Sequence, residues 1–306
     1  MASNQLPLKD GVSASTMVLP PLNKLDFSPT SLLFFLEQSA HNSHRLDWEN
    51  RLKNGLILDQ NGQPLPLDAP YLVGQRIHYW RDAGIELRIP FDEQIIYQDA
   101  HILVADKPHF LPVTPSGGYV QETLLVRLKR RTGLADLTPM HRIDRDTAGL
   151  VMFCSRVQDR DAYAQLFRQR RVSKIYECIA PFSPDVSFPL TRNTRLVTSP
   201  DSFMQMAEAE GEPNSETRIE LIERLGGSLA RYRLEPITGK RHQLRVHMNA
   251  LGLPMVGDGI YPMLTPETQQ PDYSNPLQLL AKELAFEDPL TGLKHRFASQ
   301  LNLKWP

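Results

Sequence analysis

Apolar and polar positions recur along this chain with two different periods, and the changes of period mark its elements. Between residues 31 and 55 the spacing is helical: LLFFLEQSA and HRLDWENRLKNG each carry one apolar face, with Gly55 placed to close the second helix. LILDQNGQPL then reads as a strand and an Asn-Gly turn at Asn61-Gly62, and a second strand-like run follows from Arg76 to Trp80. IIYQDAHILVADKP gives two β-rich runs around Asp99-Ala100, a hairpin pattern. Val120 to Gly133 returns to helical spacing and ends in base and glycine, as a helix should. Leu150 to Cys154 is a short apolar run bounded by charge, the mark of a buried strand. Asp159 to Arg171 is a further helix with Ala162, Leu166 and Phe167 on its inner face, and Ser173 to Pro181 is a strand. TRIELIERL and LARYRLEP, separated by Gly226-Gly227, form a hairpin with alternating faces. KRHQLRVHMNALG is a helix closed by Gly252, and LQLLAKELAF is a last core strand.

Strands dominate, helices are inserted between them, and no regular βαβ alternation appears. The class is therefore α+β, with a mixed, largely antiparallel sheet. A polar stretch containing Pro20-Pro21 precedes the first helix. The expected organisation is a flexible or loosely docked arm (1–27), a small α/β module of two helices and a hairpin (28–89), and a larger domain (90–306). With 306 residues, 41% hydrophobic and 23% charged, the chain has the make-up of a soluble globular protein. No apolar run approaches the roughly 20 residues of a membrane span, so no membrane role is expected. The first residues have neither the basic start nor the apolar core of a secretory signal. Cys154 and Cys178 both fall in apolar strands and read as packing residues, not as a disulfide or metal pair. A cytosolic setting follows.

A net charge of −1 does not advertise a nucleic-acid binder, but its distribution is uneven. Arg127, Lys129, Arg130 and Arg131 form one basic cluster, Arg168, Arg170, Arg171 and Lys174 a second, and Lys240, Arg241 and Arg245 a third. Any single cluster is explained by a helix end facing solvent. Candidate chemistry changes the picture. HRIDRDTAGL, His141 to Leu150, packs charge into a loop fixed to the start of a buried strand, which is how a fold presents a reactive side chain rigidly. It has company: DKPHFLPVTPSG from Asp106, SKIYECIA from Ser173, and GKRHQLRVHMNALGLPMVGDGIY from Gly239.

These four motifs, in this order and with long gaps, resemble the RluA-type pseudouridine synthases, over about Ile95 to Leu303. The resemblance implies an enzyme that isomerises uridine to pseudouridine within RNA, exchanging the nitrogen glycosidic bond for one to carbon 5 of the same base, without metal or cofactor. It implies that Asp144 is the catalytic aspartate, Tyr176 the tyrosine that contacts the base, and Arg245 the arginine that pairs with the aspartate. Arg142 is then placed to reach RNA or to fill the space the flipped base vacates, and Lys107, Lys174, Lys240, Arg241 and His242 are further candidate RNA contacts. The two N-terminal helices and hairpin resemble an S-four type RNA-binding module with few basic residues, among them Arg45, Arg51 and Lys53.

The residue types suit the chemistry. A carboxylate can attack the sugar or the base, or remove a sugar proton, when it is ionised. A nearby arginine would favour that form. A tyrosine can stack on uracil, and its hydroxyl can reach the proton that leaves carbon 5. The base must leave its stack, so the site should accept a flipped nucleotide. Arg245→Leu is expected to cost activity with little loss of folding. His242 and His247 stand five apart, which does not place two metal ligands on one helical face, and zinc is not expected. HRIDRD also resembles a kinase catalytic loop, but no Gly-rich loop precedes it and no DFG follows. Ile143, Ala148, His109, Phe110 and Leu280 depart from the commoner residues of the family and bear on the target, not the reaction. Ribosomal RNA is the favoured substrate, with transfer RNA as the nearer alternative and a catalytically lapsed RNA-binding assembly factor as the other. A monomer suffices.

Overall fold

In the computed structural model, which describes residues 6, 8–39, 47–80, 86–266 and 272–304, the chain forms two compact units. One is Met1–Arg88 with Thr114–Ala135, the other Ile89–Val113 with Asp136–Pro306.

The first unit holds a sheet of order β1-β3-β2, with β1 at Ser15–Val18, β2 at Ile57–Leu58 and β3 at Arg76–Tyr79. Helices α1 (Leu32–Gln38) and α2 (Trp48–Lys53) lie between β1 and β2 in the chain. Both begin on side-chain caps: Ser31 Oγ accepts the Phe34 N–H and the Asp47 carboxylate accepts the Asn50 N–H. Leu32, Phe35 and Leu36 of α1 and Trp48 and Leu52 of α2 pack with Leu19, Ile57 and Ile77 in one core. That core corrects the reading of residues 1–27 as a loose arm. Over its described part the segment is held, by the β1–β3 ladder and by the fully buried Leu19. The Asn61-Gly62 turn is fastened by Asp59, whose carboxylate accepts the Asn61 and Gln63 N–H groups at 2.8 Å.

Helix α3 (Leu124–Thr132) also belongs to this unit. It starts later than its periodicity predicts because Thr123 caps it through the Val126 N–H. Its basic cluster is engaged within the unit: Lys129 Nζ donates to Ser13 Oγ and Arg130 Nε to the Asp10 carbonyl, both at 2.8 Å. On α2, Arg51 is buried and donates to the Trp80 carbonyl, while Lys53 pairs with Glu49. Arg45 lies outside the described residues.

In the second unit the strands are β4 (Gln94–Gln98), β5 (Ile102–Lys107), β6 (Thr138–Pro139), β7 (Ala148–Cys154), β8 (Ser173–Pro181), β9 (Leu190–Thr198), β10 (Met206–Ala209), β11 (Ser215–Arg224), β12 (Leu229–Pro236), β13 (Leu279–Glu287) and β14 (Lys294–Ala298). Their order is β10-β9-β11-β12-β8-β13-β7-β5-β4, with β6 on β7 and β14 on β13. The β7–β13 pair is parallel and the other pairs are antiparallel, which agrees with the α+β class and largely antiparallel sheet expected. The strand from Leu279 is not the last, since β14 returns beside it. Helix α4 (Arg160–Arg168) packs Tyr163 and Leu166 on Ile102, Val104, Met152 and Leu284. Helix α5 (Gln243–Ala250) packs Leu244 and Met248 on Cys178, Ile219, Tyr232 and Leu234. Cys154 and Cys178 are buried, one in each of these cores, and free. Burial pushes both thiols upward in pKa, as packing residues should show.

Candidate active site

The middle of the large sheet brings two of the motifs into register. Ala281 of β13 pairs with Gly149 of β7 on one side and with Tyr176 of β8 on the other. The row Gly149–Ala281–Tyr176 therefore sets the loop that feeds β7 beside the tyrosine. Glycine is required in that row: at φ +110°, a Cβ on Gly149 would stand 2.3 Å from the Ala281 carbonyl oxygen. A local bulge in β13 between Ala281 and Glu283 adjoins it.

The loop from His141 to Thr147 is braced from below. Lys107, at the end of β5, is completely buried and donates to the carbonyls of Pro108 and Arg145, both at 2.9 Å. Burial pushes its ammonium down to about 7, against the upward pull of Asp146 and Asp144. His109 Nδ1 sits 2.7 Å from the Asp146 carbonyl oxygen. The Thr147 N–H donates to the Asp144 carbonyl, closing the turn. At the loop's start, His141 stacks on Phe167 and its Nε2 accepts the Met152 N–H, with burial holding the imidazole down to about 3. Phe110 takes φ +67°, a left-handed conformation that is uncommon outside glycine. Its ring lies 5.1 Å from Tyr273 and 6.1 Å from Phe91, contacts that offset the backbone cost.

Arg245 reaches the loop from α5. Its side chain is 1% exposed, and its Nη1 donates to Asp144 Oδ2 at 3.4 Å. The stronger contact is with a residue sequence reading did not single out. Asp258 takes Nε at 2.8 Å and Nη2 at 2.6 Å in a bidentate pair, and its Oδ1 also accepts the Ile260 and Tyr261 N–H groups. The Asp258 side chain is as buried as its partner, at 1%. Burial alone would lower the Arg245 pKa; the Asp258 hydrogen bonds and charge outweigh it and raise the value. Asp258 lies inside the quoted VGDGIY motif, where Gly-Asp-Gly reads as an ordinary turn. Gly257 (φ +72°) carries a different signal, because a Cβ there would stand 2.3 Å from the Pro276 carbonyl oxygen.

The remaining contacts of Asp144 complete the corner. His242 Nε2 is 4.0 Å from Asp144 Oδ1, and its Nδ1 is 3.1 Å from the Tyr261 hydroxyl. His242 itself sits at φ +53°, a left-handed conformation outside glycine, at the N-cap of α5. Tyr261 is buried, with the Arg245 guanidinium 5.5 Å from its ring centre. The Asp144 side chain is 29% exposed, so this carboxylate stays open to a ligand. Burial, and then the nearby Asp144 charge, push the Tyr176 phenol up, which keeps it protonated at neutral pH.

The other expected RNA contacts divide. Arg142 and Lys240 are exposed, and Lys174 is half-buried with its ammonium pushed down by burial and by Arg170. Lys107 is corrected: a fully buried ammonium bonded to two carbonyls braces the loop from within. Arg241 is exposed, but its guanidinium donates to the carbonyls of Phe203 and Met204, at 2.9 and 2.7 Å. The expectation that Arg245→Leu leaves folding nearly intact is also revised, since it would strand the buried Asp258 carboxylate. His247 faces away from His242, toward Thr194, Ser215 and Thr217 of the sheet.

Comparison with known proteins bears on this geometry. Residues 101–250 match the family model described as RNA pseudouridylate synthase. The chain is 32% identical over 215 residues to the dual-specificity RNA pseudouridine synthase RluA of Haemophilus influenzae, covering 69% of this chain and 94% of that protein. It is 30% identical over 239 residues to ribosomal large subunit pseudouridine synthase D of Pseudomonas aeruginosa, covering 72% of this chain and 70% of that one. Among solved structures, human RNA pseudouridylate synthase domain containing 1 superposes with a TM-score of 0.56 at 23% identity, over 70% of this chain and 86% of that one, a likeness of fold.

Proposed function

Since the chain belongs to the RNA pseudouridine synthase family, we propose that Asp144 is its catalytic carboxylate, acting with Arg245 and Tyr176 on a uridine of ribosomal RNA. The observation that carries the proposal is the convergence of an open carboxylate, a buried guanidinium and a protonated phenol at one end of the sheet centre. The reaction balances within one nucleotide. The bond from uracil N1 to the ribose breaks, a bond from carbon 5 to the same ribose carbon forms, the proton on carbon 5 departs and N1 is protonated. No oxidant and no second substrate is needed.

Arg245 holds an opposite charge against Asp144 and, being locked to Asp258, does so in one orientation. Tyr176 offers a ring face to the uracil and a hydroxyl near carbon 5. Arg142, exposed two residues before Asp144, contacts the RNA. Every residue given a role lies in the larger unit. Ribosomal RNA is favoured by the name of the Pseudomonas relative, a ribosomal large subunit pseudouridine synthase, and transfer RNA is the alternative. Tritium release from RNA labelled at carbon 5 of uracil tests the activity: the wild type releases label and Asp144→Asn does not. An active Asn variant would end the assignment. Mapping pseudouridines in RNA from cells with and without the gene identifies the target.

A further inference from the structure

We propose that Phe203, at the tip of the β9–β10 hairpin, is a stacking platform for an unpaired base of the substrate RNA beside the modified uridine. The inference rests on the function proposed above and goes further, by naming a surface that holds the RNA outside the catalytic corner. Phe203 is 77% exposed and Met263 is 78% exposed, the two highest values for large apolar side chains among the described residues. Isolated exposed apolar residues are common and need no account. What sets Phe203 apart is how firmly its backbone is fastened, and to what.

The tip is closed on itself by the Ser199 N–H donating to the Gln205 carbonyl and the Gln205 N–H to the Ser202 carbonyl. It is then tied to the catalytic corner. Arg241, four residues before Arg245, donates to the Phe203 and Met204 carbonyls. Gln205 Nε2 donates to the Ile260 carbonyl at 2.6 Å, and the Met206 N–H donates to the Tyr261 hydroxyl at 2.7 Å. Ile260 and Tyr261 are the residues whose N–H groups hold Asp258, and the Tyr261 hydroxyl also meets His242, next to Asp144. From Asp144 to the hairpin the path is thus His242, Tyr261, Met206. An exposed ring on a rigid backbone loses little freedom when it binds, which suits a platform better than a core residue that failed to be buried.

The chemistry of the surroundings selects the partner. Arg241, exposed and bonded to the Phe203 and Met204 carbonyls, and its exposed chain neighbour Lys240 bring positive charge to this side of the hairpin, and an aromatic face beside such cations accepts a nucleobase of any sequence. A base splayed from its stack, as the reaction already requires of the target uridine, leaves neighbours that are free to stack.

The experiment compares wild type, Phe203→Ala and Phe203→Trp, each checked for an unchanged melting temperature. Affinity is measured for a single-stranded oligouridylate, and kcat/KM by tritium release from ribosomal RNA labelled at carbon 5 of uracil. The Ala variant is expected to lose about tenfold in affinity with an unchanged salt slope, because stacking releases no counterions, and kcat/KM should fall with it. The Trp variant should recover both. Unchanged affinity and kcat/KM in the Ala variant overturns the proposal, and so does an equal loss in Ala and Trp. Should the wild type release no tritium while Phe203→Ala still weakens oligouridylate binding, the platform stands and the assigned reaction falls.

Discussion

Asp144 and Asp258 both accept hydrogen bonds from Arg245, yet the side chain of the first is 29% exposed and that of the second 1%. Asp258 is saturated: two guanidinium bonds and two backbone N–H groups converge on it, at a corner forced by Gly257. Asp144 has one long bond at 3.4 Å and a histidine at 4.0 Å, on a loop braced from beneath by Lys107. One carboxylate fixes the cation and the other stays open to a ligand. A buried ion pair is costly to desolvate, and its value under the proposed function lies in holding Arg245 at a fixed distance from the open carboxylate.

The contrast can be broken at either carboxylate. Asp144→Asn should lower pseudouridine formation by on the order of a thousandfold or more with the unfolding midpoint unchanged, read by tritium release and calorimetry. Asp258→Asn should do the reverse first: losing the charge opposite buried Arg245 costs about 3–5 kcal/mol in urea unfolding, and activity drops because Arg245 loses its orientation. Arg245→Leu should cost a similar amount. Combining it with Asp258→Leu should recover most of the stability and none of the turnover, a coupling that a double-mutant cycle measures.

The loop side has a pH dependence of its own. The Lys107 pKa falls from 10.5 to about 7 on folding, so between those values the unfolded chain binds the extra proton. Stability should therefore rise as pH increases through that window, by on the order of a few kcal/mol from this group, while the penalty is fully present below about 7. Urea unfolding across the window checks this: Lys107→Met should flatten the slope, whereas Asp258→Asn should leave it. The smallest effect is expected at the rim. Arg142→Ala should weaken RNA binding a few-fold and reduce the salt slope by about one, with stability unchanged, as titrations at several salt concentrations would show.

Much of the larger unit was legible in the amino-acid order. Ser173–Pro181 is the strand its alternation implies, the Gly226-Gly227 hairpin forms, and α5 ends before Gly252. Helix ends were less accurate: Leu124 and Arg160 start α3 and α4 inside the predicted spans, and for α3 the Thr123 cap decides where the periodic run becomes helical. The inner face of α4 was read as Ala162, Leu166 and Phe167; Leu166 is buried and Phe167 packs against the same core, but the spacing missed the buried Tyr163, whose hydroxyl donates to Asp288. A tyrosine's polar end hides such a role from hydrophobic spacing.

From sequence alone came the α+β class, read from local period, and four motifs whose resemblance to the pseudouridine synthases pointed to Asp144, Tyr176 and Arg245 as the residues to look for. The tertiary structure decided which charges are available. Lys107 and Arg245 look alike on paper as cations for RNA or for a carboxylate, but one is sealed beneath the loop and the other is shared between an open and a closed aspartate. Burial and second partners arise only when distant segments meet, as Gly149, Ala281 and Tyr176 do across three strands, and no local pattern in the chain encodes that meeting.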